Sequence, residues 1–323
     1  MQKLVFCLMA VLLFGHAFAN GAASNTYMQK QAEVKLLLHE LNNSYRAKRI
    51  KAEESIRAAI DNDLPDERGN SWYRIQLYSF GATMILQDTT VPFDVKQFIA
   101  EILAEGIAND PSRYLKEKAT YWLAKVLDAT GSDVLSERAL DNIRKGYSNP
   151  ELLTRDMIFL VYHAEIPDGA KWIEAASRHP LQKRNGQTDR TTWAALLVRA
   201  WSGDRAALRR LLEYGHKADD IERTTLLFKD ISTINDQKCV EFFKPYLDSD
   251  ERLPELKPGK PGEPVAAYAA TALYKMLAGF PEPTESEFYA EEDIMRSRAW
   301  MKQQKEFKFR AKPLAEKQNS QKP

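Results

Sequence analysis

Residues 264–277, PVAAYAATALYKML, constrain this chain more than any other stretch. Val265, Ala269, Ala270, Ala272, Leu273 and Met276 fall on one broad face at a period of 3.6 residues, which is the signature of a buried helix. Alanine favours helix and takes little room, so a neighbouring backbone can approach closely. Pro264 suits the first turn, where its missing N–H costs nothing. Gly279 and Pro281 suit a stop. A helix of this kind needs other helices against it.

The same offsets recur upstream. They appear at Leu115, Ala119, Thr120, Trp122, Leu123 and Val126, and again at Leu153, Met157, Ile158, Leu160, Val161 and Ala164. Looser copies centre on Ser79 and Phe80, on Ala194 and Ala195, and on Thr225 and Leu226. The first members of the central pairs are residues 79, 119, 157, 194, 225 and 269, in steps of 40, 38, 37, 31 and 44. A period near forty implies two helices per unit. The expected partner helices are residues 95–108, 133–145, 170–178, 206–214 and 238–247, the last ended or broken by Pro245. Turn residues separate them at 109–111, 148–150, 167–169 and 202–204. An irregular helical domain with accidental spacing is the alternative.

A small-residue second helix after an Asp- or Asn-containing turn, best matched at residues 110–126 and 149–164, resembles the HEAT-repeat family of α-solenoids. Lys116 holds the basic position usual near the start of that helix. The resemblance covers residues 71–280. It implies an all-α fold, an α-solenoid of about five to six HEAT-like helix pairs with helical caps, and a concave side lined by second helices.

Residues 1–19 read as a signal peptide: Lys3, an apolar run over residues 4–14, and the A-x-A site at Ala17, Phe18 and Ala19. An uncleaved anchor is the alternative. Export to a bacterial periplasm or a secretory route follows. Cleavage removes Cys7 and leaves Cys239 alone, so an intramolecular disulfide is impossible. A buried structural thiol is the expectation for Cys239. The 46 basic and 45 acidic side chains come into balance once Lys3 is removed. Attraction to nucleic acid or an anionic membrane is not indicated, and no later apolar run spans a bilayer.

Residues 20–70 read as an N-terminal helical cap, one long helix or two joined ones, with a coiled-coil dimer arm as the sharper alternative. Its loop at 61–71 lacks the order of a calcium loop. Residues 71–283 are the repeat domain. Within it, loops at 179–189 and 248–264 break the spacing, either as recognition loops or as tolerated insertions. Residues 284–312 are read as a C-terminal helix. Residues 313–323 are read as a disordered basic tail, a solubilising segment or a contact for acidic protein or lipid.

The chemistry of known motifs is missing. His39, His163, His179 and His216 are far apart in sequence, and no H-E-x-x-H, G-x-S-x-G or phosphate-binding loop occurs. Glycosidases need only two carboxylates placed by the fold, but Asp156, Glu165 and Glu174 carry no mark that separates them from surface charge. Trp122 and Trp193 are expected to be buried; Trp201 stands at a helix end near Arg199. The expectation is a non-enzymatic scaffold with no cofactor and no metal, binding another protein of the cell envelope or secreted space. Its contacts are expected at Lys118, Arg155, His163, Arg199 and Trp201, on the second helices. A glycan- or peptidoglycan-directed binder or hydrolase is the alternative.

Overall fold

A computed structural model describes residues 22–67, 69, 71–148, 154–181, 183–184, 187–255, 262–284 and 289–310. The signal peptide expected at residues 1–19 and the basic tail expected at 313–323 lie outside the described residues, as does Leu153. The fold is all-α. The described residues divide into two compact units, the first ending at Trp122 and the second beginning at Leu123.

In the first unit the N-terminal segment is two helices, α1 (Ala22–Leu41) and α2 (Arg46–Asp61), packed on each other. Val34, Leu38, Leu41, Ala52 and Ile56 make the shared face. α3 (Trp72–Gln87) packs on α1 and on α4 (Phe93–Asn109). Ser71 caps α3 by accepting from the Arg74 N–H at 3.0 Å. The buried face of α3 is Tyr73, Leu77, Tyr78, Gly81, Ala82 and Ile85. Ser79 and Phe80, expected at its centre, are half-buried beside it. Gly106 on α4 is bare because a Cβ there would strike the Tyr78 hydroxyl. That hydroxyl donates to Asp110 at 2.6 Å, and Arg74 pairs with the same carboxylate. α5 (Arg113–Thr130) contributes its residues up to Trp122 to this unit and those from Leu123 onward to the second.

In the second unit a 3₁₀ turn (Ser132–Val134) precedes α6 (Glu137–Tyr147), which Ser136 caps. The segment expected as one helix at 133–145 is therefore broken, since Ser136 offers its hydroxyl to the Ala139 N–H and starts a fresh helix. α7 (Arg155–His163), α8 (Gly169–Ser177), α9 (Arg190–Trp201) and α10 (Arg205–Lys217) then stack in chain order, each on the next, with α7 also on α9. The loop before α9 holds a short antiparallel pair, Lys183 opposite Thr188 and Arg184 opposite Gln187.

The partner of α10 is an interrupted helix: α11 (Asp220–Glu222), a π-helical turn (Arg223–Leu227) and α12 (Phe228–Ile231). The wide turn rotates the register. Arg223, Thr224, Leu227, Phe228 and Asp230 are buried, while Thr225, expected at the centre of the face, is exposed. Arg223 explains the turn: its Nε donates to Gly215 O at 3.0 Å and its Nη2 to His216 O at 3.3 Å, which satisfies the last carbonyls of α10.

α13 (Gln237–Leu247) runs through Pro245 without a break. The proline stands in the last turn, so few helical bonds lie beyond it to lose. α13 packs on α14 (Val265–Met276), in which Val265, Ala269, Ala270, Leu273 and Met276 are fully buried. α15 (Glu291–Gln303) covers α14, but the C-terminal helix stops there. Phe309 turns back beside Leu277, and the Arg310 N–H donates to Met276 O at 2.7 Å. This clasp satisfies carbonyls that the end of α14 leaves open.

Candidate functional site

One face of α7 carries Arg155, Phe159 and Tyr162, spaced at one helical turn, with His163 beside them. The opposite face, Met157, Ile158, Leu160 and Val161, is buried. Thr154 starts the helix by accepting from the Met157 N–H at 3.3 Å, which fixes the phase of both faces. Trp201, the last residue of α9, reaches across this face. Its ring centroid lies 5.6 Å from Phe159 with the planes 26° apart, 5.6 Å from Tyr162, and 6.4 Å from His163. Its Nε1–H donates to Thr233 Oγ1 at 2.8 Å. The result is a half-exposed aromatic ledge held by α7, α9 and the turn after α12.

The two ends of the ledge differ in charge. At one end the Arg155 guanidinium stands 5.2 Å over Phe159 and donates to Asp230 Oδ1 at 3.0 Å. Asp230 is buried, and its other oxygen accepts from Trp193 Nε1–H at 2.9 Å. That acid is fully engaged. At the other end His163 Nε2 lies 3.7 Å from Asp128 Oδ1. Burial holds the His163 imidazole below its usual pKa, and Asp128 opposes this only partly. Above that depressed pKa His163 is neutral and leaves the Asp128 charge uncancelled. Glu165 follows two residues later, exposed, with a φ of 52°. Among the described residues Glu165 forms no ion pair. Burial raises the Tyr162 phenol, a hydrogen bond with Ser202 opposes the rise, and the Glu165 and Asp128 charges add to it.

The structure therefore brings together three of the five contact residues expected from sequence: Arg155, His163 and Trp201. Arg155 is as much an anchor as a surface group, through Asp230. Arg199 turns to the other side of α9, where it donates to Ser177 Oγ at 2.6 Å and pairs with Asp204 at 2.5 Å. Lys118 belongs to the first unit and stands 5.3 Å from the centre of the Tyr114 ring. Phe159 and Tyr162 were not among the expected contacts. Their spacing of four and seven residues from Arg155 is the signal that could have found them.

Of the other chemistry-bearing residues, Cys239 is fully buried and its thiol is pushed up to about 12 by burial, with Asp236 adding. Glu174 is paired with Arg178 on the surface of α8. Trp193 is buried as expected, whereas Trp122 is half-buried, edge-on to Tyr121 at 5.0 Å. A further cleft of about 350 Å³ lies between Arg252, Ala266, Glu291, Met295 and Arg298, and its charges pair within it, Arg252 with Glu291 and Arg298 with Asp250. No group of three or more His, Cys, Asp or Glu placed to hold a metal ion occurs among the described residues. Nor is any described helix long and apolar enough to cross a membrane.

No family model matches the chain, and no curated protein matches it. Among solved structures it is similar to human deoxyhypusine hydroxylase in complex with glycerol. The identity is 12%, over 76% of this chain and 85% of that one, with a TM-score of 0.21. At that score the likeness carries no argument about this chain.

Proposed function

We propose that the chain is an exported, non-enzymatic protein-binding scaffold of HEAT-like helix pairs, and that the aromatic ledge of α7 and α9 receives a segment of another envelope or secreted protein. The convergence of Phe159, Tyr162 and Trp201 on a rigid helical frame carries this reading. Large rings held by packing lose little freedom on contact, and half-exposed aromatics beside an arginine are the residues that dominate protein interfaces. The position of the ledge on the second helix of two successive pairs is what the repeat resemblance implies for a contact surface. The buried, protonated Cys239 supplies no nucleophile.

The test is crosslinking of the tagged mature chain in cells, followed by mass spectrometry of what it captures, with Tyr162→Ala as the comparison. The expected result is one dominant protein, lost in the variant while its helical melt is preserved. Glycan retained on the ledge in place of a protein would overturn the reading in favour of carbohydrate binding.

A further inference from the structure

We propose that the His163 end of the ledge is a receptor for a cationic side chain, a lysine or arginine presented by the bound segment. This rests on the protein-binding reading and names the chemistry of the partner.

Three rings form a corner at this end. Tyr162 to His163 is 5.2 Å, Tyr162 to Trp201 is 5.6 Å, and His163 to Trp201 is 6.4 Å between centroids. The faces of the Tyr162 and Trp201 rings are electron-rich and attract an ammonium or guanidinium group, while the mostly buried His163 backs them. Two carboxylates border the corner. The side chain of Asp128 is 64% exposed, and its ion-pair partner among the described residues is the neutral His163. Glu165 is joined to the corner through the backbone, its N–H donating to Tyr162 O at 3.2 Å. The corner therefore carries net negative charge beside electron-rich faces, which is complementary to a cation and unfavourable to an acid.

The rest of the second unit shows what such settings hold when the chain fills them itself. Arg155 stands over Phe159, Arg223 lies 4.7 Å from the centre of Tyr246, and Arg310 lies 4.5 Å from that of Tyr274. Among the described residues no basic side chain stands over the Tyr162 ring. Glu165 stands at a strained backbone position. A non-glycine residue at positive φ is strained, and glycine would relieve it, yet the position holds an acid that faces solvent next to the rings.

The test has two readouts on the full mature chain. In the first, the Trp201 indole N–H signal, assigned by its loss in Trp201→Phe, is followed while Nα-acetyl-lysine methylamide is added. The norleucine analogue, which lacks the charge, is the comparison. Saturable shifts with the lysine compound alone, weakened about tenfold in the Asp128→Asn/Glu165→Gln double variant, are expected. Both positions are exposed and both changes are isosteric, so the variant keeps the fold. Equal shifts with norleucine, or an unchanged response in the double variant, would overturn the inference. In the second readout, the double variant is carried through the cellular crosslinking experiment. Capture by the native chain that is lost in the variant supports the cation site. Capture that persists in the variant overturns the cation site and leaves the protein-binding reading standing. Absence of capture by the native chain sinks the protein-binding reading itself, and a crosslink only to a second copy of the chain overturns both.

Discussion

The indole of Trp201 lies on the phenyl ring of Phe159, centroids 5.6 Å apart and planes 26° from parallel. The pair joins the last residue of α9 to the middle of α7, forty-two positions apart in the sequence. Because Thr233 holds the indole N–H and Arg155 stands over Phe159, the rings are fixed by contacts within the chain itself. A surface preordered in this way spends little entropy on binding.

The frame behind the ledge depends on Asp230. It is buried and serves Arg155 and Trp193 together. Replacing Asp230 with alanine leaves a half-buried guanidinium and an indole N–H without their acceptor. The expected cost is about 3 kcal/mol in urea denaturation. Asp230→Asn keeps an acceptor for Trp193 and removes the charge, so it is expected to cost less. Equal stability of Asp230→Ala and the native chain would refute the anchoring role.

Glu165 has a φ of 52°, which favours glycine. Glu165→Gly is expected to raise stability by about 1 kcal/mol, because the strain disappears and no ion pair is lost among the described residues. The same variant is expected to weaken capture at the ledge. A destabilised Glu165→Gly protein would show that the side chain supports the fold instead.

Acid sensitivity follows from His163 and His216. Both are depressed below 6.5, His163 by burial and His216 by burial and then Arg223. Below 6.5 the unfolded chain takes up protons that the folded chain resists. Stability is therefore full above the unfolded value and is lost as pH falls through the folded values. Denaturation midpoints measured from pH 7.5 to 5 are expected to drop, and His163→Gln is expected to reduce the drop by up to about one proton's worth of slope. A slope unchanged in that variant would contradict the burial of His163.

Cys239 is fully buried, with its thiol held up to about 12. An aromatic disulfide reagent at pH 8 is expected to label it only as fast as the chain opens, and at once in denaturant. Immediate labelling of the native protein would contradict the packing of α13.

The helix pairs were legible in the sequence because small and apolar residues repeat at helical spacing. At Ala119 and Thr120, Met157 and Ile158, Ala194 and Ala195, and Ala269 and Ala270, the expected central pairs are all buried. The register failed at Thr225, where an extra residue per turn is accommodated by Arg223 bonding to carbonyls of α10. A helical period cannot foresee such an insertion, since its cause lies in another helix. The ledge was half legible. Arg155, His163 and Trp201 stood out as polar or aromatic residues on second helices, but Arg199 has the same character and faces away. Asp230 left no mark, because a lone acid in a helix reads as surface until partners 37 and 75 residues distant are known.

The most direct measurement places a photo-crosslinking amino acid at position 162, on the ledge, and at position 213, an exposed site on α10, and compares what each captures in cells. Position 162 is expected to yield one dominant protein partner through a segment containing lysine or arginine, and position 213 none. The same background from both positions, with nothing particular to 162, would contradict a protein-binding role for the ledge.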